Sequence, residues 1–277
     1  MSTVQTLLLG GIAGGTILLG LPMGRVGGAS HAVRAGLTAF ATGILIFLFW
    51  DVLSHGVDPV ETAVSDHHWG RLAELAPLLG GGLALGLMSL VYYDRWMTRK
   101  RATPLVGPGA AAVDEFAART WVERLTPGQR LALLIATGIG LHNFGEGLAI
   151  GQAAAADEVS LALVLIIGFA LHNATEGFGI VGPMSGEAER PSWNFLWLMG
   201  LIGGGPTFLG TVIGQAWVSE ALEVVFFAVA AGSILYVVIQ LFEVCRRYSM
   251  PAVVAWWILG GIAAGFATDF VLVAAGV

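Results

Sequence analysis

Two short motifs in the middle of the chain combine the side chains that bind divalent metal ions. The first reads His-Asn-x-x-Glu-Gly at residues 142–147, and the second repeats it at residues 172–177. In each motif the histidine and the glutamate are four residues apart, which places them on one face of a helix. The asparagine after each histidine can line the side of the same cavity. The six polar residues are His142, Asn143, Glu146, His172, Asn173 and Glu176.

Both motifs lie near the middle of long apolar runs, where charge is costly. An ionised carboxylate at the centre of a bilayer costs at least ~2.5–3.5 kcal/mol. A divalent cation compensates, because two carboxylates balance its charge and two neutral imidazoles complete four ligands. Zinc accepts such nitrogen and oxygen ligands at about 2.0–2.2 Å. A lone buried histidine is often only a hydrogen-bond donor, and a His–Glu pair could relay protons. The duplication on neighbouring antiparallel helices favours a metal site.

The elements that carry these motifs are predicted from composition and from the lengths of the apolar runs. The chain has 277 residues, of which 56% are hydrophobic and 12% are charged, whereas soluble domains carry roughly 25% charged residues. The runs reach the length of about 20 residues that crosses a bilayer, and they lack the alternation of β-barrel strands. We therefore expect an all-α membrane protein with eight transmembrane helices. The expected spans cover roughly residues 4–24, 32–54, 71–94, 129–152, 158–182, 193–217, 219–244 and 251–275.

The basic residues predict the orientation of these spans. Of the 13 Lys and Arg residues, all except Arg71 flank the first, third, fifth and seventh connections. Positive residues concentrate on the cytoplasmic side, so both termini are expected outside the cytoplasm. The longest connection, about residues 96–128, then forms a cytoplasmic loop that ends in a short amphipathic helix near residues 116–125. The opposite loops carry acidic residues that would concentrate cations, although outer loops also simply lack Lys and Arg.

Several classes of function are not indicated. The single cysteine, Cys245, excludes an internal disulfide and a thiolate cluster. The net charge of −6 and the confinement of basic residues to one set of loops give no sign of a nucleic-acid partner. Zinc-protease and di-iron signatures, His-Glu-x-x-His and Glu-x-x-His, do not occur. The start has no basic n-region, so the first run is expected to be retained. The short loops favour a prokaryotic plasma (inner) membrane.

The two motifs give the chain a family resemblance. It resembles the ZIP (Zrt-/Irt-like) family of divalent metal transporters, whose signature in the fourth span is His-Asn-x-x-Glu-Gly. The matching residues of the fourth span are His142, Asn143, Glu146 and Gly147, and those of the fifth span are His172, Asn173, Glu176 and Gly177. The likeness extends over the whole chain in topology and is residue-specific mainly in these two helices.

The resemblance implies a single transporter domain over residues 1–277, not an enzyme. It implies an inverted repeat of spans 1–3 and 6–8 around spans 4 and 5, with elevator-like movement of one helix bundle against another. The substrate would be Zn²⁺, or Fe²⁺, Mn²⁺, Co²⁺ or Cd²⁺ as in some members, moving toward the cytoplasm. A membrane-bound metal-dependent enzyme and a proton-relay transporter remain the alternatives. The chain could also form a homodimer.

The chain departs from the family pattern in two places. Many members have proline before the glutamate of the motif, whereas Gly145 and Thr175 stand here. Many also have a glutamate before a proline in the sixth span, where it serves a second metal, but Gly205 precedes Pro206 in this chain. We therefore expect one metal ion rather than a bridged pair.

Other polar residues of the spans are candidates for the path to and from the site. Asp51 and His55 are four residues apart at the outer end of the second span, where they could pass metal inward or merely mark the membrane interface. Gln240 and Glu243, in the cytoplasmic half of the seventh span, could serve the exit. Pairing of Glu243 with Arg246 or Arg247 is an equal alternative.

Overall fold

The computed structural model describes residues 2–25, 30–99, 121–157, 159–186, 189–216 and 219–274, and these residues form helices and turns without strands. The α-helices are Thr3–Gly15, Ile17–Gly20, His31–Ser65, Trp69–Arg99, Pro127–Ala155, Val159–Val181, Trp193–Ala216, Glu220–Arg247 and Pro251–Ala274. Short 3₁₀ helices cover Leu21–Arg25, Trp121–Arg124 and Gly182–Gly186.

The prediction of an all-α membrane protein is confirmed. Within the described ranges, eight helical segments are long and apolar enough to cross a membrane. They match the eight expected spans one by one, and we number them from the first to the eighth span. The first span, Thr3–Arg25, joins the first two helices to a 3₁₀ turn. The end of the spans that carries Ser65 and Trp69 is called the outer end below.

The helix of the second span, His31–Ser65, is longer than expected. It runs eleven residues past the predicted end at residue 54, so Asp58 and Glu61 lie on a helix and not in a loop. The apolar composition indicates where the membrane ends, and a helix can continue into water beyond that point. Pro59 lies inside this extension and removes one backbone hydrogen bond. The chain turns only after Asp66, where His67 has a φ of 57°.

The long connection that was expected to be cytoplasmic lies mostly outside the described residues. The helix of the third span continues to Arg99, past the expected end at residue 94. The amphipathic helix expected near residues 116–125 also lies largely outside them, and its described part is the 3₁₀ turn Trp121–Arg124.

Local signals in the sequence explain where several spans begin. Ser2 caps the first helix and Thr126 caps the fourth span, and each exchanges two hydrogen bonds with the glutamine three residues later. Pro127 follows Thr126 at the first helical position, where its missing N–H is harmless. The seventh span has acidic residues in its first turn and basic residues in its last turn, which suits the helix dipole.

The packing of the spans divides into two bundles. Bundle 1 contains the first, fourth, fifth and sixth spans, with the fourth span packed along the sixth and the first span packed against the fifth and sixth. Bundle 2 contains the second, third, seventh and eighth spans, with the third span packed along the seventh and the second packed against the seventh and eighth. The fourth span also meets the seventh, and the second meets the fifth, so these pairs join the bundles.

Glycines make the contacts within each bundle unusually close. A methyl group at Gly14 would overlap the carbonyl oxygen of Gly204, and one at Gly86 would overlap that of Val229. Among the described glycines, every such overlap with a carbonyl of another span falls inside one bundle. Between bundles an added methyl would meet side chains or lie farther away: it would lie 2.9 Å from Cε1 of Phe227 at Gly145, and 3.7 Å from Cβ of Ser233 at Gly138. Small residues let helix backbones approach in a membrane, and here they do so within bundles.

Two neighbouring glycines provide a test of this packing. Gly14→Ala should lower the melting temperature in detergent clearly, because the new methyl meets the backbone of Gly204. Gly15→Ala is the matched control, since no atom lies within 4 Å of its new methyl. Its expected effect is neutral or slightly stabilising, because alanine favours helix. Equal melting temperatures for the two variants would contradict the packing account.

Candidate metal site

The two motifs meet at one buried position inside bundle 1. The fourth span contributes His142, Asn143 and Glu146, and the fifth span contributes Asn173 and Glu176. The exposed fraction is 3% for His142 and Glu146 and 0% for the other three residues. The structure therefore brings together five of the six residues predicted from the sequence.

Histidine and carboxylate groups face each other at this position. Nε2 of His142 lies 3.2 Å from Oε1 of Glu146 and 4.0 Å from Oε1 of Glu176. Two ligands of a tetrahedral zinc ion are about 3.3–3.6 Å apart, given bonds of about 2.0–2.2 Å. The first separation already fits a shared ion, and the second would have to shorten by less than an ångström.

The sixth predicted residue, His172, lies on the helix Val159–Val181, but its side chain is outside the description. Among the side chains that are described, no three of His, Cys, Asp and Glu form a complete metal-binding group. Oδ1 of Asn143 is buried and has no hydrogen-bond partner within the described part of the chain. A buried amide oxygen of this kind is suited to a cation.

The asparagines bind the glutamates of the opposite motif. Nδ2 of Asn143 lies 3.2 Å from Oε2 of Glu176, and Nδ2 of Asn173 lies 3.4 Å from Oε2 of Glu146. The same Nδ2 of Asn143 also donates to Oδ1 of Asn173 at 2.5 Å. The two motifs are thereby tied across the interface of the fourth and fifth spans.

Each asparagine is also fixed to a backbone carbonyl of a third span. Asn143 donates to the carbonyl oxygen of Gly203 on the sixth span at 2.9 Å. Asn173 donates to that of Ala13 on the first span at 3.2 Å. All four spans of bundle 1 therefore take part in holding the site. The sequence did not reveal these two carbonyls as partners, because any backbone group can serve.

The balance of energies favours a cation at this position. Taking a carboxylate out of water costs several kcal/mol, and Glu146 and Glu176 are both buried. A hydrogen bond to a charged group contributes about 1.5–3 kcal/mol of stability. Each carboxylate accepts one long hydrogen bond from an asparagine side chain. Such bonds cannot offset two buried negative charges, so the pair needs either bound protons or a divalent ion, which can neutralise both charges.

The candidate entrance lies at the outer end of the second span. Nδ1 of His55 lies 2.9 Å from the backbone oxygen of Asp51 and 3.8 Å from its carboxylate. Both residues lie on the second span, one helical turn apart. His55 also lines an outer cavity of about 600 Å³ together with Asp58 and Glu61.

A phenyl ring that the sequence analysis did not single out lies near both the entrance residues and the helix of the site. The ring of Phe227, on the seventh span, lies 5.5 Å from the ring of His55. It also lies beside Gly145 on the fourth span, where an added methyl would lie 2.9 Å from the phenyl carbon Cε1. Gly145 directly precedes Glu146, so the ring is near both His55 and the backbone that carries a site carboxylate.

The two candidate exit residues lie on the seventh span at the end opposite the outer end, called the inner end, and Gln240 belongs to a hydrogen-bond network there. Nε2 of Gln240 donates to the hydroxyl of Tyr236 at 2.9 Å, and this hydroxyl donates to Asp94 at 2.7 Å. Asp94 was missed in the sequence because it stands beside Arg95 at the end of a span. Glu243 lies 3.7 Å from Arg247 and both are exposed, which agrees with the alternative of an ion pair.

Comparison with known families supports a transport function. Residues 118–245 match the sequence profile of a family described as ZIP zinc transporter. The matched region begins ahead of the fourth span and ends in the last turns of the seventh, so it contains both motifs. A search of curated proteins gave no match. The family match supports a divalent metal transporter in the membrane.

Proposed function

We propose that this chain, which carries a ZIP zinc transporter family domain over residues 118–245, moves zinc toward the cytoplasm. The observation that carries the proposal is the convergence of His142, Glu146 and Glu176, all buried, from two antiparallel spans. The sequence motif adds His172 as the second imidazole of the proposed set. Asn143 and Asn173 contribute amide groups to the same cavity.

The set of donors suits zinc, and it also admits other divalent metals. Imidazole together with carboxylate binds zinc well and accepts Fe²⁺, Mn²⁺, Co²⁺ or Cd²⁺. The chain lacks an acid before Pro206 for a second ion, so we propose that one ion binds at a time. The eight spans act as one transport domain, with both termini outside and the membrane a prokaryotic plasma membrane.

Asp51 and His55 form the proposed entrance, because His55 lines the outer cavity and contacts Asp51 one helical turn away. Gln240 and Glu243 form the proposed exit. The network with Asp94 adds a carboxylate there, which could take up the ion at the inner end.

The packing supports elevator-like movement of bundle 1 against bundle 2. The metal site belongs to bundle 1, and the close backbone contacts stay within bundles. Part of the contact pattern repeats when spans 1, 2, 3 and 4 are exchanged with spans 6, 7, 8 and 5, since the third and seventh spans pack as the eighth and second do. This correspondence supports the inverted repeat.

Zinc influx into proteoliposomes that contain a zinc-sensitive dye tests the proposal. We expect saturable influx for the wild type and at least about a 100-fold lower rate for His142→Ala, because a ligand is lost. A proton relay would instead give no selective thermal stabilisation by Zn²⁺ or Cd²⁺. If the wild type binds zinc but admits none, the transport function is refuted and the metalloenzyme alternative is favoured.

The affinity for zinc should fall as the pH drops below about 6, because protons compete with the metal for histidine and carboxylate ligands. Acidification should only weaken binding, since zinc binds to neutral imidazole and ionised carboxylate. Titration of purified protein with zinc at pH 7.5 and pH 5 measures it. An affinity at pH 5 equal to that at pH 7.5 would count against the His/Glu site.

Phe227→Ala should open the outer approach to the site. With His142→Cys as a probe in a Cys245→Ser background, a membrane-impermeant thiol reagent should react several-fold faster when the ring is removed. Phe226→Ala is the matched control, because the neighbouring ring packs on Phe144 at 4.7 Å instead. Equal labelling rates in the two variants would show that Phe227 is no barrier.

A further inference from the structure

The two asparagines of the site occupy equivalent places in the two halves of bundle 1. Asn143 reaches from the fourth span to Glu176 and to the carbonyl of Gly203 on the sixth span, and its two N–H groups are shared between these acceptors and Oδ1 of Asn173. Asn173 reaches from the fifth span to Glu146 and to the carbonyl of Ala13 on the first span. Each side chain thus links one carboxylate of the opposite motif to one backbone carbonyl.

These contacts use the N–H groups of the amides, which cannot bind a cation. Only the oxygen of a carboxamide can be a metal ligand. The carbonyls of Gly203 and Ala13 accept hydrogen bonds, so they orient each NH₂ group. Because both asparagines are fully buried, no water competes for these donors. The side chains are therefore arranged to donate to Glu146 and Glu176.

We propose that Asn143 and Asn173 are positioning residues of the metal-free site. Their crossed hydrogen bonds hold Glu176 and Glu146 in place when no ion is present, so that the empty bundle can return across the membrane. The inference rests on the proposed transport function. Net uptake requires this empty return, whereas exchange of zinc for zinc across the membrane does not.

The variants Asn143→Asp and Asn173→Asp test this role. Aspartate has nearly the same shape as asparagine and keeps an oxygen for metal, but it cannot donate an N–H to a carboxylate. We expect net zinc uptake to fall about 10-fold further than zinc-for-zinc exchange, as the loss of a hydrogen bond to a charged group predicts. Both rates are measured in the same proteoliposomes, with zinc-free or zinc-loaded interiors.

Thermal unfolding gives a second measurement, which keeps the proposal testable if a variant transports poorly. Without metal, each aspartate variant should melt at a lower temperature than the wild type. Saturating zinc should close that gap, because the ion replaces the lost donors as the partner of the carboxylates. Asn143→Leu keeps the approximate size of the side chain, removes the donor without adding charge, and should show the same gap in weaker form.

The outcomes separate the inference from the proposed function. Net uptake and exchange that fall by the same factor, with a melting gap that zinc does not close, would overturn the positioning role and make the asparagines metal ligands. Unchanged uptake in both aspartate variants would overturn it as well. Absence of both exchange and net uptake in the wild type would refute the transport function itself.

Discussion

Glu176→Gln should abolish zinc uptake while leaving the protein folded. Glutamine has the shape of glutamate, and its oxygen can still accept the hydrogen bond from Asn143. The change removes one of the two negative charges that neutralise a divalent ion at a position with 0% exposure. Because little water can compensate there, we expect at least about a 100-fold loss of zinc affinity, and uptake at micromolar zinc should vanish.

The same variant should become more stable in the absence of metal. Neutral glutamine removes a buried charge whose desolvation costs several kcal/mol, so the metal-free melting temperature should rise. Glu74→Gln is the control, since Glu74 is exposed near the outer end of the third span. It should keep both uptake and stability. Saturable uptake by Glu176→Gln with an unchanged half-saturating concentration would show that Glu176 binds no metal.

A disulfide between the bundles should stop transport reversibly. In a Cys245→Ser background, Gly138→Cys and Ser233→Cys would place two Cβ atoms 3.7 Å apart, within the range of about 3.5–4.5 Å that a disulfide needs. Gly138 lies on the fourth span in bundle 1, and Ser233 lies on the seventh in bundle 2. Oxidation should abolish uptake if the bundles slide, and reduction should restore it.

A cross-link inside one bundle is the matched control. Oγ1 of Thr42 lies 3.6 Å from Sγ of Cys245, and both residues belong to bundle 2. Oxidised Thr42→Cys, paired with the native cysteine, should therefore leave uptake largely intact. Full uptake by the oxidised Gly138→Cys/Ser233→Cys protein, with the disulfide confirmed by mass, would exclude sliding at this interface.

The eight spans could be predicted from the sequence because hydropathy and the distribution of basic residues are properties of single segments. The exception in the charge pattern, Arg71, is explained by the structure. Its Nε lies 3.0 Å from Glu220, so it pairs with an acid at the outer end of the seventh span. The end of the second-span helix at Ser65 could not be predicted in the same way, because hydropathy indicates where the membrane ends and a helix can continue into water beyond that point.

The meeting of the two motifs was predictable, since a repeat on neighbouring antiparallel spans places both at one depth. The crossed bonds of Asn143 and Asn173 were not, because they depend on the relative rotation of two helices. The place of Phe227 was equally hidden, since Phe226 beside it has the same side chain in the same apolar run. Which ring faces His55 is decided by packing alone.

Because Asn143 and Asn173 are bound to carbonyls of the sixth and first spans, every described contact of the site lies within one bundle. If bundle 1 carries the ion as proposed, the ion keeps the same neighbours from one face of the membrane to the other, and no ligand has to be exchanged on the way. The slow step would then be the movement of helices through lipid, which does not depend on the cargo. Metals of different affinity should consequently share one maximal velocity, and this velocity should respond to the thickness and fluidity of the bilayer.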